Sequence, residues 1–571
     1  MEKGSDQALE LPVLSQVGRD PEMARAWPDW LRWCIVGLLV AIASTAIYYG
    51  LQLREYAFVS TTGYHFNGDV NNGFEWGQRG KATGLFQIYD ARGVAGSNLD
   101  YTPLRLAVVT AWVAWEQRID PNIRGWSDSY EITSPMLHLN TLAELVSSVF
   151  VFLLIRMWVI RMDDANRPID SSPRPFRGVI QGMIGAAFLW FNPAVLWDGH
   201  CWPQWDVWVV PFFVAALWLA CVDWWFAAGA CIVVGAFLKG QMLLGAPVLI
   251  LWPLFSFRFG AVLRLISGLT FTTAVVVFPW MRPERPEMTW YFSMLVGLAL
   301  TIPLVFNWRI HWSLLLGSGI AAAIFVWPWQ AIGSPQMHFL PLLIVAGVSL
   351  ARILPRRVVP HVYALAIGLT ILLMMPLYGA SSSWYAIGFE HGSMKYDGML
   401  TGGGTFNLAA LLSRSWRTVV DPNELLHLPF TGRLVTYRVL MGLIYAICVA
   451  LCAIGAAIHD RRKDVRFLVA MAAPWTIFYV LMVQMHGRYL LWGAAMSALL
   501  IGVSFGMGFI AIIISIIAFL GMFLNQYTIY RYWDSTTVRT IQQVHPHLGW
   551  MLLLACAVLL YMAILPRSRV T

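Results

Sequence analysis

The sequence predicts an all-α fold, a polytopic helical bundle in a membrane. Of the 571 residues, 58% are hydrophobic and only 12% are charged, whereas roughly a quarter of the residues in soluble domains are charged. Apolar runs of about 20 residues, long enough to cross a bilayer as helices, recur from Trp30 to Pro566. The net charge of +8 comes from basic residues in short loops. Such residues set orientation, so no nucleic-acid partner is predicted.

The chain divides into two short tails and one transmembrane domain. We predict cytoplasmic tails at 1–29 and 566–571 and a single domain over 30–565 with roughly 13 to 16 spans. The predicted spans are 31–51, 137–160, 179–196, 207–222, 225–239, 242–255, 262–280, 289–306, 311–328, 338–353, 358–378, 434–458 and 467–483, followed by two more and a last span that ends before Arg567.

Two long polar segments interrupt the apolar runs, and we predict them to be outer loops. The first, 52–134, is rich in Gly, Asn, Asp and aromatic residues. Its stretch Leu104–Trp115 is too short to span a bilayer and is expected to lie as a helix at the interface. The second outer loop is 381–432, and a last one is predicted to carry His545 and His547.

The stretch Phe191–Val207 (FNPAVLWDGHCWPQWDV) stands out because ionisable residues at the edge of the hydrocarbon are costly and mark function. Arginines from 156 to 177 mark the preceding loop as cytoplasmic, so this stretch and the first outer loop are expected on the same non-cytoplasmic face. For Asp198 and His200, ligand binding competes with helix capping and an ordinary loop histidine. Asp206 could equally cap the next helix.

Several other polar residues are candidates for a catalytic or binding role, and each also has an ordinary structural explanation. Asp69 lies in a flexible polar loop and could act as a base, although an Asn-Gly-Asp sequence is also ordinary turn chemistry. Glu75 is the alternative base. His486 and Arg488 offer paired donors for a phosphate, or could reach the interface as long side chains do. Lys239 lies within an apolar run and is expected to have a phosphate or carboxylate partner.

A lipid-linked phosphosugar would use all of these groups at once. Its phosphate needs cationic partners, its sugar ring needs aromatic and amide side chains, and its transfer to a hydroxyl needs a carboxylate to accept the proton. Most of the tryptophans are expected to form an interfacial belt, and Trp202 and Trp205 are those we expect to contact a sugar. No cluster has the spacing of metal ligands, so neither a cofactor nor a divalent metal is predicted.

Four sequence elements carry a family resemblance, and they occur in order between about 60 and 490: Gly68-Asp69 with Trp76, Gly84 and Tyr101-Thr102-Pro103-Leu104; Asn192-Pro193 with Asp198, His200, Gln204 and Asp206; Phe237-Leu238-Lys239-Gly240-Gln241; and Gln484-Met485-His486-Gly487-Arg488-Tyr489. Asn407-Leu408-Ala409-Ala410-Leu411 adds a fifth. The chain thereby resembles the integral-membrane C-type (GT-C) glycosyltransferases, which use polyprenyl-phosphate sugars. It is most similar to the bacterial group related to GPI-anchor mannosyltransferases and less so to the dolichol-pathway glucosyltransferases.

The resemblance implies an inverting glycosyltransferase with a GT-C-like bundle. Asp69 would be the catalytic base. The donor would be a polyprenyl-phosphate hexose, mannose ahead of glucose, and the acceptor a lipid-linked or cell-envelope molecule. The implied substrate-binding residues are Glu75, Trp76, Tyr101, Asp198, His200, Trp202, Gln204, Asp206, Lys239, Gln241, Asn407, His486, Arg488 and Tyr489. The chain departs from the family patterns at Gly487, where they have an acid, and at Pro203, where they have glycine.

Two other classes remain as alternatives: a transporter or flippase of a lipid-linked saccharide, and a non-catalytic subunit of an envelope-glycan assembly complex. A transporter fold is expected to show internal repeats and helices broken near the membrane midplane, and the sequence shows no such repeat. The expected location is a bacterial inner membrane with the polar face towards the periplasm or exterior. An endoplasmic-reticulum membrane fits the same pattern, and the oligomeric state is left open.

Overall fold

A computed structural model gives the fold of the chain for these residues: 28–63, 65, 67–85, 87–89, 99, 101–166, 176, 178–277, 360–361, 364–365, 368–369, 372, 383–391, 405–415, 426–427, 434–530 and 535–566. The predicted spans 289–306, 311–328 and 338–353 lie outside the described residues. So do most of 358–378 and almost all of the two predicted tails, and the predicted number of spans therefore stays a prediction.

The predicted fold class is confirmed, because helices make up nearly all of the described structure. The α-helices are α1 (Asp29–Ser60), α2 (Asn67–Thr83), α3 (Pro103–Ile119), α4 (Tyr130–Asn166), α5 (Val179–Trp190), α6 (Pro193–Leu196), α7 (Val209–Cys221), α8 (Trp225–Leu238), α9 (Met242–Gly245), α10 (Pro247–Phe255), α11 (Phe259–Val277), α12 (Ser383–Tyr385), α13 (Leu408–Ser415), α14 (Tyr437–Arg462), α15 (Phe467–Leu481), α16 (Leu490–Met496), α17 (Phe505–Tyr530) and α18 (Ser535–Ile564).

Short irregular helices and one small ladder complete the described elements. The 3-10 helices are Gln87–Tyr89, Asp206–Trp208, Gly487–Tyr489 and Ser497–Gly502, and the π-helical turns are Trp197–Cys201 and Ala386–His391. Strands β1 (Leu426–His427) and β2 (Leu434–Val435) pair antiparallel, with Leu426 opposite Val435.

The chain is a multi-pass membrane protein. Seven of the helices in the described ranges are long and apolar enough to cross a bilayer: Trp30–Ser60, Tyr130–Asn166, Val179–Cys201, Phe259–Val277, Tyr437–Arg462, Phe505–Gln526 and Gln543–Ile564. Only 6% of the most apolar 18-residue window of α1 is buried within the protein, so most of the surface of that part of the helix is left for lipid.

Helix α15 is the central element of the bundle. Every residue from Phe467 to Val480 is buried, as expected for a helix that is apolar on all sides. Its N-terminal end begins after a turn with Asp464, whose carboxylate accepts a hydrogen bond from the backbone nitrogen of Arg466 (3.0 Å). Its C-terminal end leads directly into residues 482–489. Helix α15 therefore places the basic turn before it and the polar segment after it at opposite ends of the bundle.

Helix α1 extends nine residues beyond the predicted end at Leu51 and reaches Ser60. Arg54 and Glu55 interrupt the apolar pattern there, which is why the sequence reading placed an outer loop from residue 52. Arg54 is nevertheless buried, because its Nε donates to Oε2 of Glu144 in α4 (2.5 Å) and its Nη2 donates to the carbonyl of Trp190 (2.8 Å). The last predicted outer loop is likewise shorter than expected, since α18 begins at Ser535 and includes His545 and His547.

The first polar segment folds into two helices, α2 and α3, that pack closely together. Helix α3 contains the predicted stretch Leu104–Trp115, but it begins one residue earlier, at Pro103, and ends four residues later, at Ile119. At Gly77 the backbones approach so closely that a Cβ atom would lie 2.5 Å from the carbonyl oxygen of Val109. Only glycine fits this contact without movement of one helix.

We therefore expect Gly77→Ala to lower the free energy of unfolding by about 1–3 kcal/mol, the usual effect of overpacking. Thermal unfolding in detergent would measure the change. Gly37→Ala is the matched control, because Gly37 also lies in a helix but has no atom within 4 Å of its added Cβ. Equal melting temperatures for the two variants would contradict the close packing of α2 on α3.

Candidate functional site

Four segments that are distant in sequence meet at one set of charged side chains, Asp69, Asp206, Lys239 and Arg488, which we call the charged cluster. Nη1 of Arg488 contacts Oδ2 of Asp69, and its Nε lies 3.5 Å from Oδ2 of Asp206. Nζ of Lys239 contacts the other oxygen of Asp206. Carboxylates and cations therefore alternate along the cluster, and each charge has an opposite charge beside it.

The charged cluster is more exposed at the end formed by Asp69 than at the end formed by Asp206 and Lys239. The side chain of Asp69 is 27% exposed and that of Arg488 is 16% exposed, whereas those of Lys239 and Asp206 are 9% and 0% exposed. Asp69 is therefore the member that a second molecule can reach most easily. Asp206 and Lys239 form the closed end.

The stretch that holds Asp198 and Asp206 consists of short helical turns of different kinds. Asn192 caps α6, its Oδ1 accepting from the backbone nitrogen of Ala194 (3.0 Å), and the chain then forms the π-helical turn Trp197–Cys201. Such turns are frequent at functional sites. The turn buries the side chains of Asp198 and His200. Asp206 does not cap the following helix α7, whose cap residue is Trp208; it begins the 3-10 helix before α7, and its carboxylate contacts Lys239.

Two side chains of helix α4, Asn140 and Glu144, contact this stretch. Nδ2 of Asn140 donates to the carbonyl oxygens of Gly199 (2.8 Å) and Gln204 (2.7 Å). One turn further on, Oε1 of Glu144 lies 3.3 Å from Nε2 of His200, and Oε2 of Glu144 accepts from Arg54. His200 therefore belongs to a buried network with Glu144 and Arg54.

Two polar side chains of the stretch have buried atoms without a hydrogen-bond partner. Within the described part of the chain, this holds for both carboxylate oxygens of Asp198 and for Nε2 of Gln204. Buried polar atoms in this state destabilise a protein by about 1–3 kcal/mol each, and each such group calls for an explanation. The Asp198–Gln204 segment thus presents hydrogen-bonding groups that none of the described residues uses.

The segment after α15 brings aromatic rings to the closed end of the cluster. Tyr489 stacks on Trp492 with ring centroids 5.3 Å apart, and Nζ of Lys239 lies 5.4 Å from each of the two centroids. Nε1 of Trp492 donates to the backbone oxygen of Asp206 (2.8 Å). These contacts combine cation–π attraction with a hydrogen bond and fix Lys239 and Asp206 in place.

His486 lies between the cluster and Trp202, whose ring it meets edge-on at 5.6 Å. Burial, followed by the positive charge of Arg488, lowers the pKa of His486 to about 3. The imidazole is therefore neutral near pH 7. It can accept or donate one hydrogen bond there but carries no positive charge.

The ionisation of Asp69 is set by two opposing effects. Burial raises the pKa of its carboxyl, but the charge and hydrogen bond of Arg488, helped by Lys239 and His486, more than offset this and lower the pKa below the usual 3.8. Asp69 is consequently ionised at neutral pH. It combines a negative charge with the greatest accessibility in the charged cluster.

An aromatic wall connects the first polar segment with the Phe191–Val207 stretch. Trp76 meets the ring of Tyr101 edge-on at 4.3 Å, and the hydroxyl of Tyr101 accepts from Nε1 of Trp205 (3.0 Å) and from Nη2 of Arg105 (2.6 Å). A Cβ atom on Gly73 would lie 2.5 Å from the Trp205 ring. The two segments predicted to share one face are therefore in direct contact.

An apolar cavity of about 480 Å³ lies beside the chain segment that contains Lys239. Its walls come from α8, α11 and the residues around α12, and they include Phe237, Leu243, Leu269, Trp384 and Phe389. Phe237 precedes Lys239 by two residues, and a Cβ on Gly240, the residue after Lys239, would lie 3.2 Å from the ring of Phe389. Lys239 is thus flanked in the chain by one residue that lines the cavity and one that packs against its wall.

Three predicted site residues lie apart from these contacts. Glu75 is exposed on α2 and accepts a hydrogen bond from Nδ2 of Asn71 (2.9 Å). Asn407 caps α13, with Oδ1 accepting from the nitrogen of Ala410 (3.0 Å) and Nδ2 donating to the carbonyl of Met482 (3.2 Å). Gln241 is half-buried just before α9 and makes no side-chain cap there.

The sequence reading missed Arg54, Arg105 and Glu144. All three are charged and buried, and each lies in or beside an apolar run. The rule that a charged residue within such a run needs a partner would have found them.

No protein-family model matches the chain, and no curated protein matches it either. In the described part of the chain, no group of three or more His, Cys, Asp or Glu side chains is arranged to hold a metal ion. The absence of a metal requirement stays a prediction. The function therefore has to be argued from the geometry of the cluster and its surroundings.

Proposed function

We propose that the protein is an inverting glycosyltransferase that moves a hexose from a polyprenyl-phosphate carrier to a lipid-linked or cell-envelope acceptor. One observation carries this proposal: the ionised, accessible carboxylate of Asp69 lies at one end of a charged cluster, and Lys239 at the other end is flanked in the chain by residues at the wall of an apolar cavity. A substrate that suits this arrangement has a reactive polar head, an anionic group and an apolar tail. A lipid-phosphate sugar combines these three features.

In the proposed reaction, Asp69 accepts the proton of the acceptor hydroxyl as that oxygen attacks the anomeric carbon. The bond between the anomeric carbon and the phosphate oxygen breaks on the opposite face, so the configuration inverts and the lipid phosphate leaves with the bonding electrons. Arg488 and Lys239 would balance the charge that develops on the phosphate. A donor phosphate that drew Arg488 towards itself would also release Asp69 and raise its pKa, making it a better base.

The remaining contacts suit the other parts of such a donor. The atoms of Asp198 and Gln204 that have no partner among the described residues are suitable hydrogen-bonding groups for sugar hydroxyls, and binding there would remove the penalty of leaving them buried without a partner. The aromatic lining of the cavity suits an isoprenoid chain, since each buried CH₂ contributes about 0.8 kcal/mol. The preference for mannose over glucose as the transferred sugar rests on the family resemblance alone.

The distribution of basic residues supports a non-cytoplasmic site. Arg258 pairs with Asp460 (3.0 Å), and Arg466 donates to the carbonyl of Leu565 (2.7 Å). These residues gather at the end of α15 opposite His486 and Arg488. By the positive-inside rule that end is cytoplasmic, which would place the charged cluster towards the periplasm of a bacterium or, alternatively, the lumen of the endoplasmic reticulum.

Sugar transfer by the purified protein tests the proposal. The protein in lipid nanodiscs is given short-chain polyprenyl-phosphate mannose or glucose with a panel of lipid acceptors, and the product is identified by mass spectrometry and its anomeric configuration by NMR. Transfer with inversion is expected from one of the donors. Donor movement across a sealed vesicle without transfer would support the flippase alternative instead, and neither activity in folded protein would overturn the proposal.

Arg488→Gln is expected to move the acidic limb of the pH–rate profile upwards. In the wild type, Arg488 keeps Asp69 ionised below its usual pKa of 3.8. Without Arg488, burial remains and raises that pKa, so protonation inactivates the base at a higher pH. The measurement is kcat/KM against pH. Arg258→Gln, at the opposite end of the bundle, should leave the limb in place, and an unmoved limb in Arg488→Gln would show that Asp69 does not control the rate.

A further inference from the structure

A second buried polar network lies at the turn between α1 and α2. The side chain of His65 is 0% exposed. Its Nδ1 contacts Oδ1 of Asp128, and its Nε2 lies 2.8 Å from Oγ1 of Thr61. The ring stacks on Phe58 with centroids 4.2 Å apart. We call Thr61, His65 and Asp128 the His65 network.

The His65 network joins the C-terminal end of α1 to the segments that precede α2 and α4. Thr61 follows the last residue of α1, where its hydroxyl also lies 2.7 Å from the carbonyl oxygen of Ala57. His65 precedes α2 by two residues. Asp128 precedes α4, the helix whose Asn140 holds the Phe191–Val207 stretch. A displacement of any one of these helices would therefore disturb the contacts of His65.

Asp128 also fixes the backbone of the turn itself. Its Oδ2 accepts a hydrogen bond from the nitrogen of Gly63 (2.7 Å), and Gly63 has a φ of +85°, a conformation that glycine adopts without strain. One carboxylate thus holds both the reversal of the chain at Gly63 and the ring of His65. The direction in which the chain enters α2 is set by these two contacts.

Asp69 lies in the first turn of α2, four residues after His65. The other part of α2 is held by the close contact of Gly77 with Val109. The helix is therefore fixed on both sides of Asp69, by the His65 network before it and by α3 after it. The contact between Asp69 and Arg488 depends on where this helix lies.

We infer that His65 and Asp128 are positioning residues, which keep α2 in the place where the carboxylate of Asp69 reaches both Arg488 and the acceptor. This inference rests on the proposed function for its effect on rate, but its structural part does not. The contacts of His65 and Asp128 described above are with Thr61, Phe58, Gly63 and each other, so each residue would act through the position of Asp69. A misplacement of about 1 Å can lower a catalysed rate by about 100-fold.

Asp128→Asn in the full-length protein tests the inference. Two measurements are made: kcat and KM for the donor, and hydrogen exchange of the backbone amides of residues 67–75, followed by mass spectrometry. We expect kcat to fall by at least about 10-fold with KM nearly unchanged, since the donor contacts remain. Exchange in 67–75 should become faster while exchange in α3 stays the same.

Asp120→Asn is the matched control, because Asp120 lies in the same connecting segment but is exposed and accepts a hydrogen bond from the nearby backbone nitrogen of Asn122 (2.9 Å). It should change neither measurement. If Asp128→Asn does not fold, Thr61→Val removes one hydrogen bond of His65 at nearly constant volume and should show the same pattern more weakly. A combined Asp69→Asn and Asp128→Asn variant should be no slower than Asp69→Asn alone.

Unchanged exchange in 67–75 would overturn the inference, as would a loss of kcat that persists in the Asp69→Asn background. If the wild type transfers no sugar at all, the proposed function fails. The exchange measurement still decides whether the His65 network holds α2, so the two failures are distinguishable.

Discussion

Replacing Asp69 by asparagine is expected to lower kcat for sugar transfer by a factor of about 10³, within the range typical for loss of a general base. The amide has nearly the same shape as the carboxylate but cannot accept the acceptor's proton. Its oxygen can still accept a hydrogen bond from Arg488. Because the side chain of Asp69 is 27% exposed, the fold should persist, and donor binding should change far less than kcat. Single-turnover kinetics would separate the two effects.

Glu75→Gln is the control for this substitution. Glu75 lies on the same helix but is exposed, outside the charged cluster, and is hydrogen-bonded to Asn71. Its replacement should leave kcat within about twofold of the wild type. A loss in Glu75→Gln with activity retained in Asp69→Asn would assign the base to Glu75. Activity retained in both variants would move the search to Asp198.

Lys239→Met is expected to produce the largest loss of stability, about 3–5 kcal/mol, the usual consequence of removing one partner of a buried ion pair. Asp206 is fully buried, and Lys239 is its direct partner. After the substitution the carboxylate would keep only the more distant Arg488, 3.5 Å away. The measurement is unfolding in detergent, by temperature or denaturant.

Two comparisons make the Lys239 result specific. Adding Asp206→Asn to Lys239→Met removes the uncompensated charge and should restore much of the stability, but not the activity. Lys463→Met removes a lysine that is 41% exposed and paired with Asp460 (3.1 Å) at the other end of the bundle, and it should change stability by less than about 1 kcal/mol. A Lys239→Met protein as stable as the wild type would mean that Arg488 alone neutralises Asp206.

The sequence was informative about properties that a single segment determines by itself. Long apolar runs predicted the spanning helices, since length and composition are properties of one segment. A lysine within such a run predicted a charged partner for Lys239, and the structure provides Asp206. Basic turns predicted that the first polar segment and the Phe191–Val207 stretch share a face, and the two are in contact at Trp205.

Pairings between distant residues could not be read in the same way. Arg54 and Glu144 are 90 positions apart, and His65 and Asp128 are 63 apart, so the local sequence does not show that these residues are partners. For Asn407 the local sequence suggested a functional role that its contacts do not indicate. It lies in a segment that resembles a family motif, yet both ends of its side chain bond to backbone atoms. A motif identifies a residue type at a position, whereas its partners depend on packing.

The contact between Asp69 and Arg488 joins residues 419 positions apart, and this distance bears on how the protein is made. During synthesis the first helices enter the membrane long before the ribosome reaches Gln484. Asp206 and Lys239 are only 33 positions apart, so they can neutralise each other early in synthesis. That part of the chain can then insert into the membrane without an uncompensated charge. Asp69 acquires its cationic partner only when almost the whole polypeptide has been inserted. An enzyme built in this way would be inert as a nascent chain and would start to consume its lipid substrate only once its biogenesis is complete.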